Sequence, residues 1–200
     1  MIKYLWVDTE TTGWEPKTCG LLQVSGYVEI DNEIRETFDF KMKPHTGAQW
    51  MQEAVDKTKI TPEIAAEFDE PSLVFAQFNS ILEKYVDRFD KQDKFFLIGY
   101  NVKFDEDFLR EWFIREAKTE RDAQYGNGFG SFFWTPSIDV MNYAAVRTMS
   151  NRHNFPNFRL GPVCRALGIE FNEEDAHNAI FDIEKTRELW KLLKGNRSSS

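Results

Sequence analysis

Two long strand-like runs, Leu21 to Ile30 and Glu33 to Met42, are separated by nothing but Asp31-Asn32. A two-residue connection leaves the chain no course except a tight hairpin, and both residue types tolerate the positive φ that such turns demand. The runs are therefore expected as antiparallel neighbours. Ahead of them, Ile2 to Asp8 is a short, largely apolar, β-rich run suited to a buried central strand.

Past Pro44 the pattern turns helical. Thr61-Pro62-Glu63 opens a short helix with Thr as its cap and Pro in its first position. Between Pro71 and Phe89, Leu73, Val74, Phe78, Ile81, Leu82, Tyr85 and Val86 share one 3.6-period face. Phe95 to Gly99 reads as a second buried strand, and Phe104 to Ala117 as a helix through Phe108, Leu109, Trp112 and Phe113. Tyr125 to Trp134 is rich in glycine and aromatics and reads as a loop leading into a short strand near Ile138. Phe129, Phe132, Phe133 and Trp134 are expected to return to the core rather than to form a second stacking platform. Helices follow at Asp139 to Met149, Arg159 to Leu167 and Ala176 to Leu193, with Gly168 stopping the middle one. No linker or repeat divides the chain. The expectation is one α/β domain over residues 1–194, a mixed β-sheet flanked by α-helices, with 195–200 as a flexible tail.

Composition supports a soluble globular protein: 42% of the 200 residues are hydrophobic, with 18 Phe and 6 Trp for the interior. No run approaches membrane-spanning length and the start lacks a basic, then apolar, leader, so the cytosol is the expected compartment. Cys19 and Cys164 fit neither a metal pair nor a disulfide framework and read as reduced thiols. A net charge of −8 argues against bulk electrostatic attachment to nucleic acid. Locally the balance reverses: residues 140–168 contain no acid, but hold Arg147, Arg152, Arg159, Arg165 and His153. That stretch is either a solvated face or a phosphate-contacting strip.

The chemistry-bearing candidates are carboxylates. Asp8 and Glu10 are two apart at a strand end, so an extended backbone puts both side chains on one face. Two carboxylates that close repel unless a cation lies between them; the other reading is a strand ending in a polar turn. Thr11, Thr12 and Gly13 follow with backbone N–H groups that an anion could use. Asp105 falls in the first turn of a helix after a strand, a usual place for ligand-binding groups in α/β sheets. Taken alone, it is equally a carboxylate favoured by the helix dipole, worth less than about 1 kcal/mol. Asp107 lies about 200° further round that helix and is not expected to share a ligand with it. His177 precedes Asp182 by five residues, so both can face one pocket from a helix start. Asp139 reads as a helix cap.

Taken together, V-D-T-E-T-T-G, N-V-K-F-D and H-N-A-I-F-D resemble, in order, the three motifs of the DnaQ-like exonucleases of the DEDDh type, over nearly all of the chain. Ile60-Thr61-Pro62-Glu63, the segment from Leu160 to Ile169 ending A-L-G-I, and Asn101 before Phe104-Asp105 match as well. Tyr100 departs from the pattern, since many members carry His beside that Asn. The resemblance implies a ribonuclease-H-like fold and a 3′→5′ exonuclease that releases nucleoside 5′-monophosphates. It implies Asp8, Glu10, Asp105 and Asp182 as ligands of two Mg²⁺ ions, Mn²⁺ substituting, about 3.5 to 4 Å apart. His177 would be the general base, an imidazole near pKa 6.5 being suited to neutral pH. It further implies that Thr11, Thr12, Gly13, Trp14, Asn101 and Phe104 border the terminal nucleotide, with Trp14 stacking on a base or else half-buried in the core. Single-stranded DNA is the expected partner. The alternatives are RNA or short oligonucleotides, and a non-catalytic member serving as an interaction module.

Overall fold

The computed structural model describes residues 1–174 and 178–195. In chain order its strands are β1 (Lys3–Thr11), β2 (Leu21–Ile30), β3 (Glu33–Lys41), β4 (Phe96–Gly99) and β5 (Ile138–Asp139). The helices are α1 (Gln52–Thr58), α2 (Pro62–Ala65), α3 (Pro71–Tyr85), α4 (Val102–Arg115), α5 (Glu120–Gln124), α6 (Phe129–Phe132), α7 (Val140–Arg147), α8 (Leu160–Ala166) and α9 (Ala179–Gly195). The strands form one sheet in the order β3-β2-β1-β4-β5. The pairs β1–β2 and β2–β3 are antiparallel, whereas β1–β4 and β4–β5 are parallel. This is the mixed sheet flanked by helices that the sequence predicts. Asp31 and Asn32 take φ of 50° and 71°, the left-handed pair that a two-residue hairpin needs.

Alternation along β1 sorts its side chains between two cores. Leu5 and Val7 join Phe78, Leu82, Phe108 and Phe113 of α3 and α4 on one face. Tyr4 and Trp6 join Val140, Val163, Ile183 and Leu189 of α7, α8 and α9 on the other. Full burial of each such apolar side chain is worth about 1.5 to 3 kcal/mol. The second face also carries a buried charge pair: Arg187 Nε bonds Glu29, which is 2% exposed and also accepts from Trp6 Nε1 at 3.2 Å. This contact ties α9 to β2.

The structure departs from the sequence expectation in places with local causes. The helix expected to reach Phe89 ends at Tyr85. Asp87 and Asp90 accept the N–H groups of Phe89 and Gln92, and such short carboxylates compete with helix continuation. Phe89 is left 98% exposed. The segment expected as a loop over Tyr125 to Trp134 contains α6, and Phe129, Phe132 and Phe133 return to the core. Helices α1 and α5 carry no strong apolar period, having no buried residue, and are not visible as patterns in the sequence. The helix read from Ala176 is described from Ala179 and runs through Gly195. Residues 196–200, most of the expected tail, lie outside the described residues. Among the described residues no helix is long and apolar enough to cross a membrane.

Candidate active site

The same alternation that buries Trp6 carries Asp8 and Glu10 to the α9 side of the sheet, at the end of β1. Asp8 stands opposite Ser25 and Glu10 opposite Gln23, and the register shifts immediately after Glu10. Thr9 points the other way and meets Asp105 in the first turn of α4. Its N–H and its hydroxyl both donate to Asp105 Oδ1, at 2.9 and 2.7 Å. A carboxylate held by two such donors is fixed in orientation. Asp182 enters from the first turn of α9, where Thr186 donates its hydroxyl to the Asp182 carbonyl at 2.7 Å.

These elements bring Asp8, Glu10, Asp105 and Asp182 to the wall of one pocket of about 120 Å³, with Asn101 and Phe104 beside them. Glu10 and Asp105 are buried, at 8% and 3% exposure. Asp8 is half-buried and also lines an adjoining cavity of about 860 Å³. Burial drives the Asp8 carboxyl well above the usual carboxylate range, and repulsion from Asp105, Glu10 and Asp182 adds to it. Burial also raises Glu10 to about 7, Lys57 opposing and Asp182 reinforcing the shift. Asp105 is raised to about 7 by burial, against the stabilising bonds from Thr9. Such a set resists ionisation unless positive charge is brought to it.

Among the described residues no three His, Cys, Asp or Glu side chains form a ready-made metal cluster, so the arrangement is a lined pocket rather than a closed cage. Its donor chemistry nevertheless fits a hard divalent cation. The four groups offer oxygen only, and charge neutralisation would relieve their mutual repulsion. His177 lies outside the described residues.

The expected substrate residues divide. Asn101 and Phe104 line the carboxylate pocket. Asn101 adopts φ 60° at the start of α4, and its N–H donates to Asp139 at 3.1 Å. Asp139 is the cap of α7, as the sequence predicts, accepting also from Met141 N at 2.9 Å. Thr12 does not offer its N–H to an anion: that group donates to the Gly20 carbonyl at 2.9 Å, and its hydroxyl donates to Gln49 O at 2.6 Å. Thr12 is fully buried, so its work is to build the turn. Thr11 likewise bonds the Gly13 carbonyl at 2.6 Å, and a Cβ at Gly13 would meet Cys19 Sγ at 2.6 Å. Trp14, 60% exposed, is not the half-buried core aromatic of the alternative reading. Asp107 turns outward to an ion pair with Lys103, as its position round the helix requires.

Several wall residues carry no signal in the sequence, Lys57, Tyr100 and Thr186 among them. Lys57, from α1, lines both the small pocket and the large one. Tyr100, the departure from the family pattern, donates its hydroxyl to the Phe158 carbonyl at 2.7 Å and joins β4 to the segment before α8. Thr186 completes the large cavity. The arginine stretch is also split. Arg152 bonds the Phe155 carbonyl and lies 4.7 Å over the Phe158 ring, and Arg165 pairs with Glu173, whereas Arg159 lines the large cavity. No local periodicity announces any of these placements.

The family model described as Exonuclease, that of RNase T, matches residues 5–190. Ribonuclease T of Hahella chejuensis is 28% identical over 206 residues, spanning 94% of this chain and 85% of that protein. Ribonuclease T of Marinobacter nauticus is 29% identical, spanning 94% and 84%. Among solved structures, the zinc-bound form of the E. coli ExoI–ssDNA complex superposes with TM-score 0.74 at 24% identity over 100% of this chain. E. coli Exonuclease I in complex with a dA16 oligonucleotide gives 0.72 at 25% identity over 98%. This chain spans only 42% and 41% of those two chains. The fold is the ribonuclease-H-like sheet shared with these neighbours.

Proposed function

The chain belongs to the RNase T family of exonucleases, and on that premise we propose that it is a metal-dependent 3′→5′ exonuclease releasing nucleoside 5′-monophosphates from single-stranded DNA ends. The observation that carries this reading is the convergence of Asp8, Glu10, Asp105 and Asp182 on one pocket. Those four residues would hold two Mg²⁺ ions, or Mn²⁺ in their place. When bound, such ions supply Lewis acidity at phosphorus and at the attacking water. Thr9 keeps Asp105 in a single orientation, so that the carboxylate need not reorganise on loading. By the family resemblance His177 takes the proton from the attacking water. Asn101 and Phe104 present a polar and an aromatic edge to the terminal nucleotide, and the exposed Trp14 ring is available to stack on a neighbouring base, worth about 1 to 3 kcal/mol. Thr11, Thr12 and Gly13 act by shaping the turn that presents Trp14 and by anchoring α1.

A second reading, RNA 3′ ends as the substrate, is favoured by one observation: the relatives that span most of this chain are named Ribonuclease T. Both are tested by one gel time course on matched 5′-labelled single-stranded DNA and RNA, with Mg²⁺ and with EDTA. A ladder shortening from the 3′ end only with Mg²⁺ is expected, and the faster strand names the substrate. No shortening of either strand by folded, Mg²⁺-supplied protein would refute the proposal.

A further inference from the structure

Among the described residues, Lys57 is the one lysine that lines the carboxylate pocket. Five lysines pair with acids elsewhere on the surface: Lys3 with Asp93, Lys43 with Glu70, Lys84 with Glu36, Lys103 with Asp107 and Lys185 with Glu188. Lys57 makes no ion pair or side-chain hydrogen bond with the described residues, although four carboxylates share its pocket. Its ammonium is close enough to oppose the raised pKa of Asp8 and of Glu10, yet it does not close on either.

The backbone puts it there deliberately in the physical sense that several bonds converge to do so. Thr12, immediately beyond β1, accepts Met51 N at 2.8 Å through its carbonyl and gives its hydroxyl to the Gln49 carbonyl at 2.6 Å. Met51 packs on the core below α1, and Lys59 ends the helix in the left-handed conformation, φ 61°. Helix α1 is thereby docked over the end of β1, and its last turn hangs Lys57 at the boundary between the carboxylate pocket and the larger cavity. Arg159 lines that larger cavity as well. A polyanionic strand entering it therefore crosses an acidic chain of net charge −8 at a place where a cation faces it.

Resting on the exonuclease reading above, we infer that Lys57 is a positioning residue for the substrate, its ammonium contacting a backbone phosphate next to the scissile one. An unpaired, flexible ammonium suits this role, because it can contact a phosphate as a point charge without a fixed fork geometry. The competing role is a countercharge that only moderates repulsion among the carboxylates.

The two roles are separated by comparing wild type, Lys57→Ala and Lys57→Arg in the full chain. Binding of a 5′-labelled oligothymidylate is measured by fluorescence anisotropy with Ca²⁺, across a potassium chloride series, alongside steady-state hydrolysis with Mg²⁺. For Lys57→Ala the expected result is binding weakened by about fivefold. The salt slope should fall by about 0.7, the loss of one single-strand phosphate contact. KM should rise while kcat stays near wild type, and Lys57→Arg should recover most of the binding. Unchanged affinity and slope in Lys57→Ala, with only thermal stability in EDTA or the cation midpoint altered, would assign the countercharge role and overturn the inference. If wild type itself neither binds nor shortens the oligonucleotide, the exonuclease reading fails and this inference falls with it.

Discussion

Replacing Glu10 by Gln should stabilise the metal-free protein while destroying its response to metal. Glu10 is 8% exposed, and burial raises its carboxyl from an ordinary 4.5 to about 7. The folded state therefore binds more protons than the unfolded chain between those values, and stability declines as pH rises through that window. Below pH 4.5 the group is protonated in both states and costs nothing on this account. Above pH 7 it is ionised in both, and its burial costs about 3 kcal/mol at about 1.4 kcal/mol per tenfold change. Because Glu10 shares its pocket with three other carboxylates, part of this penalty belongs to the set, so removing one charge should return about 1 to 3 kcal/mol. For a chain of this size that is about 3 to 10 °C in Tm. Thermal unfolding of wild type and Glu10→Gln in EDTA at pH 5 and pH 8 measures it: the variant should be more stable at pH 8, with the gain shrinking at pH 5. Added Mg²⁺ or Mn²⁺ should raise the wild-type Tm at pH 8 and narrow or reverse the difference, because the variant has lost a ligand. A variant less stable than wild type at pH 8 in EDTA, or a difference that does not vary with pH, would refute the charge-cluster reasoning.

If His177 is the base, the Mg²⁺-dependent rate should rise between about pH 6 and 8 and flatten above. His177→Ala keeping both rate and profile would exclude that role. The arginine stretch should separate by function: Arg159→Ala should weaken oligonucleotide binding and lower its salt slope with little change in Tm. Arg152→Ala should lower Tm and leave the slope alone, since that guanidinium serves Phe155 O and the Phe158 ring. A slope moved by Arg152 and not by Arg159 would reverse the assignment. Arg187→Ala leaves buried Glu29 with Trp6 Nε1 in place of its ionic partner and should cost about 3 kcal/mol in urea unfolding. A loss below about 1 kcal/mol would show that water reaches the pair.

Much of this protein is legible in its sequence because the relevant physics is local. The bounds of β2 and the turn at Asp31-Asn32 follow from strand composition and from which residues tolerate positive φ. Alternation along β1 already puts Asp8 and Glu10 on one face, and the resemblance of three short motifs brings Asp105 and Asp182 to them. What tertiary structure alone decided is which groups face that set and which are spent elsewhere. Thr12 looks like an anion-binding turn residue until Gly20, at the far end of its own turn, and Gln49, from the segment before α1, consume its N–H and hydroxyl. Lys57 sits in a short helix with no buried residue, so only its long-range docking shows that it overlooks the carboxylates. Arg159 and Arg152 are equivalent charges in the sequence, separated by where the chain before α8 turns and which aromatic ring lies beneath. Periodicity and motif spacing encode the direction a side chain leaves its own element; the partner it meets depends on the packing of elements distant in sequence, and that exists only once the chain has folded.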